Sequence, residues 1–125
     1  MIMDATRGGI FMSTNYRYSD YSIEQLRAEI GKLKEKAQKA EQLGNISEVA
    51  VNERKMQVAL AYTLNPKDFK AEKIYTLKTD PGYTFKINYI NGVFAWGHRI
   101  NLLNEMNEQE EAIPISLLGD AVKDK

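Results

Sequence analysis

YTFKINYINGVFAWGHRI, residues 83–100, is the stretch on which the fold turns. Two runs rich in aromatic and β-branched residues flank Asn91-Gly92. That dipeptide suits the two positive-φ positions of a type I′ turn, whose twist matches that of paired strands, so the stretch reads as a β-hairpin. A turn at Asn91-Gly92 dictates a register: Tyr89 opposite Phe94, Ile87 opposite Trp96, Phe85 opposite His98 and Tyr83 opposite Ile100, all on one face. The other face then carries Asn88 with Ala95, Lys86 with Gly97 and Thr84 with Arg99. A one-residue slip exchanges the faces. The aromatic face is therefore expected to be the inner one, with Trp96 largely buried among Phe85, Ile87 and Phe94.

Upstream of the hairpin, residues 73–78 read as a short strand, and Asp80-Pro81-Gly82 has turn chemistry. Downstream, residues 101–111 form a polar, acidic loop. Residues 112–116 make a last short strand whose Pro114 suits a sheet edge. Four or five short strands in about fifty residues predict a small barrel.

The half of the chain before residue 66 has helical periodicity. Ser22-Ile23-Glu24-Gln25 has the form of a capping box, in which the hydroxyl satisfies an early backbone N–H while Gln25 reaches back. Leu26, Ile30, Leu33, Ala37 and Ala40 then recur at spacings of four and three, one stripe of a helix. Gly44 can take the left-handed conformation that ends it. Asn45, with Glu48 three residues on, caps a second helix with the apolar set Ile46, Val49, Ala50, Met56, Leu60 and Leu64, ending before Asn65-Pro66. The pair makes an antiparallel helical hairpin. Residues 56–64 are apolar almost all round, which predicts cover on more than one side.

Residues 1–21 show no periodicity and are expected to be disordered. Arg7-Gly8-Gly9 reads either as a translated ribosome-binding site, with translation then starting at Met12, or as part of a genuine flexible tail. The expected organisation is α+β: a helical hairpin over 22–65 packed on a barrel over 66–118 as one compact unit, then a tail over 119–125.

Composition narrows the function. The 125 residues suit one globular domain, with 17 Lys and Arg balancing 17 Asp and Glu. The absence of cysteine excludes disulfides, thiolate metal sites and cysteine nucleophiles. No charge-free run reaches the ~18 residues of a membrane span. No apolar secretory segment leads the chain, so the cytoplasm is the expected location, without a membrane partner.

Three segments carry a family resemblance: AEQLGNISEVAVNERKMQVALAYTLNP (residues 40–66), INYINGVFAWG (87–97) and EEAIPISLL (110–118). In this order they resemble the YfhH family of small uncharacterised proteins from Bacillus-type bacteria, over roughly residues 18–118. The resemblance implies a helical hairpin followed by an SH3-like barrel. Some members carry a transcriptional-regulator label for a helix-turn-helix-like look, so the resemblance also implies that role as an expectation. It supplies no catalytic or binding residue.

Chemistry-bearing residues are few. His98 is the single imidazole, so any Ser-His-Asp arrangement must use it. The register makes it a packed or rim residue opposite Phe85. Residues 92–99 mimic a phosphate-binding loop in spacing, but they form a strand and end in His-Arg where Lys-Ser/Thr is required. Glu105, Glu108, Glu110 and Glu111 read as solvated loop carboxylates. The better candidates are basic: Lys32, Lys36 and Lys39 on one stripe of the first helix, and Lys86 with Arg99 as diagonal neighbours on the non-aromatic face of the hairpin. Residues 66–104 hold six basic and three acidic residues, and residues 105–125 two basic and six acidic, so the asymmetry is small. A recognition helix presents its N-terminal residues to base edges. Here these are Ile46, Ser47, Glu48, Val49, Asn52 and Glu53, which suit a structural hairpin better than a DNA reader. The expected function is non-catalytic binding of a macromolecule without a cofactor, a protein partner being favoured and a nucleic acid the alternative.

Overall fold

A computed structural model of the chain describes residues 18–123. The chain order is α1 (Ile23–Gln42), α2 (Ile46–Ala61), β1 (Ile74–Leu77), β2 (Tyr83–Asn91), β3 (Phe94–Asn101), β4 (Glu111–Pro114) and β5 (Leu118–Ala121), with short 3₁₀ turns at Tyr18–Asp20, Pro66–Asp68 and Ile115–Leu117. It is an α+β architecture: a helical hairpin and one five-stranded antiparallel sheet of order β4-β3-β2-β1-β5. β4 and β5 occupy opposite edges of this sheet, which is open rather than a closed barrel.

The helical hairpin forms where local signals place it. Ser22 accepts from Gln25 N–H at 3.1 Å while its own N–H donates to Gln25 Oε1 at 2.8 Å, the reciprocal box. Leu26, Leu33, Ala37 and Ala40 are buried along α1 from first turn to last, so the seam with α2 runs the length of the helix. Gly44 takes φ +72°, and Asn45 Oδ1 accepts from Glu48 N–H at 3.2 Å to start α2. Within α2, Ala59 packs with Tyr18 and Leu26 while Ala61 joins the sheet core, so the end of this helix is covered from two sides.

Order begins earlier than residue 22. Tyr18 is only 2% exposed, sits edge-on to Tyr21 and Tyr62, and donates its hydroxyl to Glu29 at 3.0 Å. The ring covers the open end of the helical hairpin, a non-local contact that periodicity does not reveal. The remaining expectations for the N-terminal stretch, including a start at Met12, concern residues outside those described. The expected tail also begins too early, because Leu118–Ala121 is β5, paired to β1 through Leu77 with Leu118 and Tyr75 with Ala121.

The hairpin of β2 and β3 departs from the expected register. The two-residue loop is Gly92-Val93, with Asn91 opposite Phe94, Ile90 opposite Ala95 and Tyr89 opposite Trp96. Gly92 has φ +64° and Asn91 lies in the strand, which places glycine first in the turn as a type II′ geometry requires. A β-bulge between Ile87 and Tyr89 then resets the pairing to Ile87 with Gly97, Lys86 with His98 and Phe85 with Arg99.

The cause is tertiary. Val93 is buried with Ala95, Ile113 and Ile115, and its carbonyl accepts from Ile115 N–H at 2.9 Å. The inner face therefore combines large residues of β2 with small residues of β3. Ile87 lies across from Gly97, and a Cβ at Gly97 would collide with the Lys86 carbonyl oxygen and touch the Phe85 ring at 3.0 Å. Phe85, Ile87 and Ala95 are fully buried, and Tyr75, Leu77 and Leu118 continue this core across β1 and β5.

Trp96 consequently lies on the outer face, half-buried and stacked on Tyr89, with ring centroids 5.9 Å apart and planes 7° from parallel. This corrects the expectation of an indole buried among Phe85, Ile87 and Phe94.

Candidate binding surfaces

The outer face of β2, β3 and β4 brings together groups far apart in sequence. Alternation places Trp96 and His98 of β3 beside Tyr89 and Lys86 of β2, and Trp96 faces exposed Ala112 of β4. The extra residue at the bulge, Asn88, donates its side-chain amide to Glu110 at 2.7 Å. A dent of about 410 Å³ opens beside Trp96, walled by Tyr62, Phe94 and Ala112 and by the Gly92-Val93 turn. A larger trough of about 750 Å³ runs between α2, at Arg54, Met56 and Gln57, and β4, at Ala112, Ile113 and Pro114. The two depressions share Phe94 and Ala112 and so meet. Ser116 fixes the helix against this edge by donating its hydroxyl to the Gln57 carbonyl at 2.6 Å.

A third depression, of about 780 Å³, lies under the loop after β3 and is lined by Tyr83, Arg99, Asn101 and residues 105–109. Its polar groups largely satisfy one another. Asn101 Oδ1 accepts from the N–H groups of Leu103 and Glu105, and its amide donates to Glu105 Oε1 at 2.9 Å.

The basic candidates do not form one site. Lys86 and Arg99 lie on opposite faces of the sheet, because the register places His98, not Arg99, on the side of Lys86. This overturns their expected diagonal contact. Arg99 donates from Nε to Glu111 at 2.8 Å and from a terminal nitrogen to Asp80 at 2.9 Å, and lies over the Tyr83 ring. Lys86 approaches Glu72 at 3.7 Å. Both cations are thus engaged by carboxylates that arrive from other strands and turns. Lys32, Lys36 and Lys39 are exposed on α1, and among the described residues none of them is held by a carboxylate.

His98 lies opposite Lys86 rather than Phe85, and its Nδ1 meets the Asn107 carbonyl at 2.9 Å. A carbonyl only accepts, so this nitrogen carries the hydrogen of the bond. The bond ties the ring to the loop after β3 and, among the described residues, leaves Nε2 without a protein partner. No cluster of three or more His, Asp or Glu side chains among the described residues is arranged to hold a metal ion. No helix among them is long and apolar enough to cross a membrane.

The fold defines a small α+β protein in which an apolar dent beside Trp96 opens into a trough of mixed lining between α2 and the β4 edge of an antiparallel sheet. The chain belongs to the family described as "Protein of unknown function (DUF1811)", whose model matches residues 16–119. It is 48% identical over 104 residues to the uncharacterised protein YfhH of Bacillus subtilis (strain 168), an alignment that covers 83% of this chain and 95% of that protein.

Proposed function

We propose that the chain is a non-catalytic protein-binding module, of an interaction or regulatory kind, whose partner segment lies in the trough between α2 and β4. The observation that carries this reading is the junction of the two depressions at Phe94 and Ala112, an apolar floor left open on the surface of a small protein. Contiguous apolar surface of this kind is costly to leave in water and marks interaction sites. Grooves beside a sheet edge or helix accept peptide segments through side-chain pockets.

The same reading takes the sheet as an opened SH3-like barrel. Its support is the link between the two edge strands. Four strand spacings of ~4.8 Å separate the edges of a flat five-stranded sheet, whereas the single 3₁₀ turn Ile115–Leu117 joining them advances ~2 Å per residue. So short a link requires a strongly curled sheet.

The test is capture from host lysate. The expected result is a partner that survives nuclease treatment and is lost with Ala112→Arg, which fills the junction from an exposed position, but is kept with Ala112→Ser. Capture unaffected by Ala112→Arg, or abolished by nuclease, contradicts the reading.

A nucleic-acid-binding regulator is the second reading, favoured by the unengaged charges of Lys32, Lys36 and Lys39 on one exposed helix. Its weakness is that Lys86 and Arg99, which would extend a phosphate-binding surface, already face carboxylates.

A further inference from the structure

Asn91 is the single asparagine of the chain that precedes a glycine. Both residues are exposed at the free end of the β2–β3 hairpin, and Gly92 has φ +64° with open space where a Cβ would stand. Among the described residues, no hydrogen bond holds the Asn91 side chain or the Gly92 N–H. Other asparagines differ on one count or another. Asn45 Oδ1 accepts from Glu48 N–H, and the Asn88 amide donates to Glu110. Asn104 is exposed as well, but the N–H that follows it, of Glu105, donates to Asn101 Oδ1 at 2.9 Å.

We infer that Asn91-Gly92 is a site of spontaneous deamidation through a cyclic imide. The Gly92 nitrogen gives up its proton to hydroxide and attacks Asn91 Cγ. The N–Cγ bond forms, the Cγ–Nδ2 bond breaks, and ammonia leaves with a proton taken from water. Water then opens the five-membered ring. Cleavage at Cγ gives an ordinary aspartate, whereas cleavage at the main-chain carbonyl carbon gives an isoaspartate whose chain runs through Cβ and Cγ. Glycine favours the attack because no Cβ shields the nitrogen. Ring closure also takes Asn91 out of its pairing with Phe94, and this is the last pair of the hairpin. Such an end opens locally without unfolding the molecule. Asn91 also lines the dent beside Trp96, whose other lining residues carry no charge. Either product sets a carboxylate at that rim. The isoaspartate in addition inserts a carbon into β2 opposite Phe94, whose ring is shared by both depressions.

The test ages the folded full chain at mildly alkaline pH, with a parallel sample in urea, and follows each asparagine by peptide mapping and mass. Trypsin releases Ile87 to Arg99 as one peptide, so Asn88 serves as a control within the same fragment. The amide is expected to be lost at Asn91 while Asn88 and Asn104 stay intact. The rate in the folded protein is expected within about tenfold of that in urea, which corresponds to ~1.4 kcal/mol for opening the hairpin end. Asn91→Gln, which would have to close a six-membered ring, is expected to keep its amide. Trp96 is the single tryptophan of the chain, so its emission reads the wall of the dent. The separated isoaspartyl fraction is expected to emit further to the red, and Asn91→Asp to emit as the parent does. Loss at Asn91 no faster than at Asn104, or loss seen only in urea, overturns the site. An isoaspartyl fraction with the parent's emission overturns its effect on the dent.

Discussion

Gly97 is the residue on which the sheet closes most tightly. Its missing side chain lets the Lys86 carbonyl and the Phe85 ring occupy the space over β3. Gly97→Ala is therefore expected to cost about 3 kcal/mol, the upper part of the usual overpacking range, because a backbone carbonyl cannot rotate away. Gly119→Ala clashes with the Thr76 hydroxyl, a side-chain atom that can turn away at the cost of the bond it accepts from Asp120 N–H at 3.0 Å, and should cost less. The midpoints of urea unfolding compare the two directly. The second residue-scale prediction concerns the aromatic rings. Phe85, fully buried, should lose about 3–5 kcal/mol on substitution by alanine. Trp96→Ala should lose roughly 1–2 kcal/mol, since a half-exposed stacked ring has less to give. At this scale the sequence was legible only in part. The large-against-small pairing had a trace, in Ala95 and Gly97 two apart on β3 and in Phe85, Ile87 and Ile90 at spacings of two and then three. That break in alternation is the bulge. Asn91-Gly92 outweighed it because a turn dipeptide is a local signal, whereas the burial of Val93 depends on Ile113 and Ile115.

Elements were read more accurately than the contacts between them. Capping, helix stripes and turn residues act within a few positions, so both helices, the Gly44 turn and the existence of the β2–β3 hairpin were legible. The partners of Lys86 and Arg99 come from Glu72, Asp80 and Glu111, on segments whose placement needs the folded sheet, so the expected pairing of these two bases had no local warrant. The trough was missed for the same reason: it lies between α2 and β4, which are far apart in the chain. What holds these layers in register includes the Ser116 to Gln57 hydrogen bond. Ser116→Ala is expected to cost about 1 kcal/mol. Hydrogen exchange should show the effect as faster opening of the last turns of α2 relative to β2 and β3. Uniform acceleration across the molecule would instead mean that this bond contributes to global stability without governing helix docking.

For the whole molecule, the lysine stripe and the candidate groove lie apart. Lys32, Lys36 and Lys39 are exposed on α1, while the junction at Phe94 and Ala112 lies between α2 and β4. Replacing Lys32, Lys36 and Lys39 together by glutamine is expected to leave unfolding within about 0.5 kcal/mol of the parent, as for other surface changes. It should also leave partner capture unchanged. Loss of capture in this variant would move the binding surface to α1.

The central claim is that the hairpin turns at Gly92-Val93, which sends Trp96 outward to Tyr89 and builds the trough wall. Cross-strand nuclear Overhauser contacts in the free protein test it most directly, because the two registers give mutually exclusive neighbours. The account predicts contacts between the Tyr89 and Trp96 rings and between Ile87 and the Gly97 α-protons; contacts of Ile87 with the indole and of Phe85 with the His98 ring would contradict it.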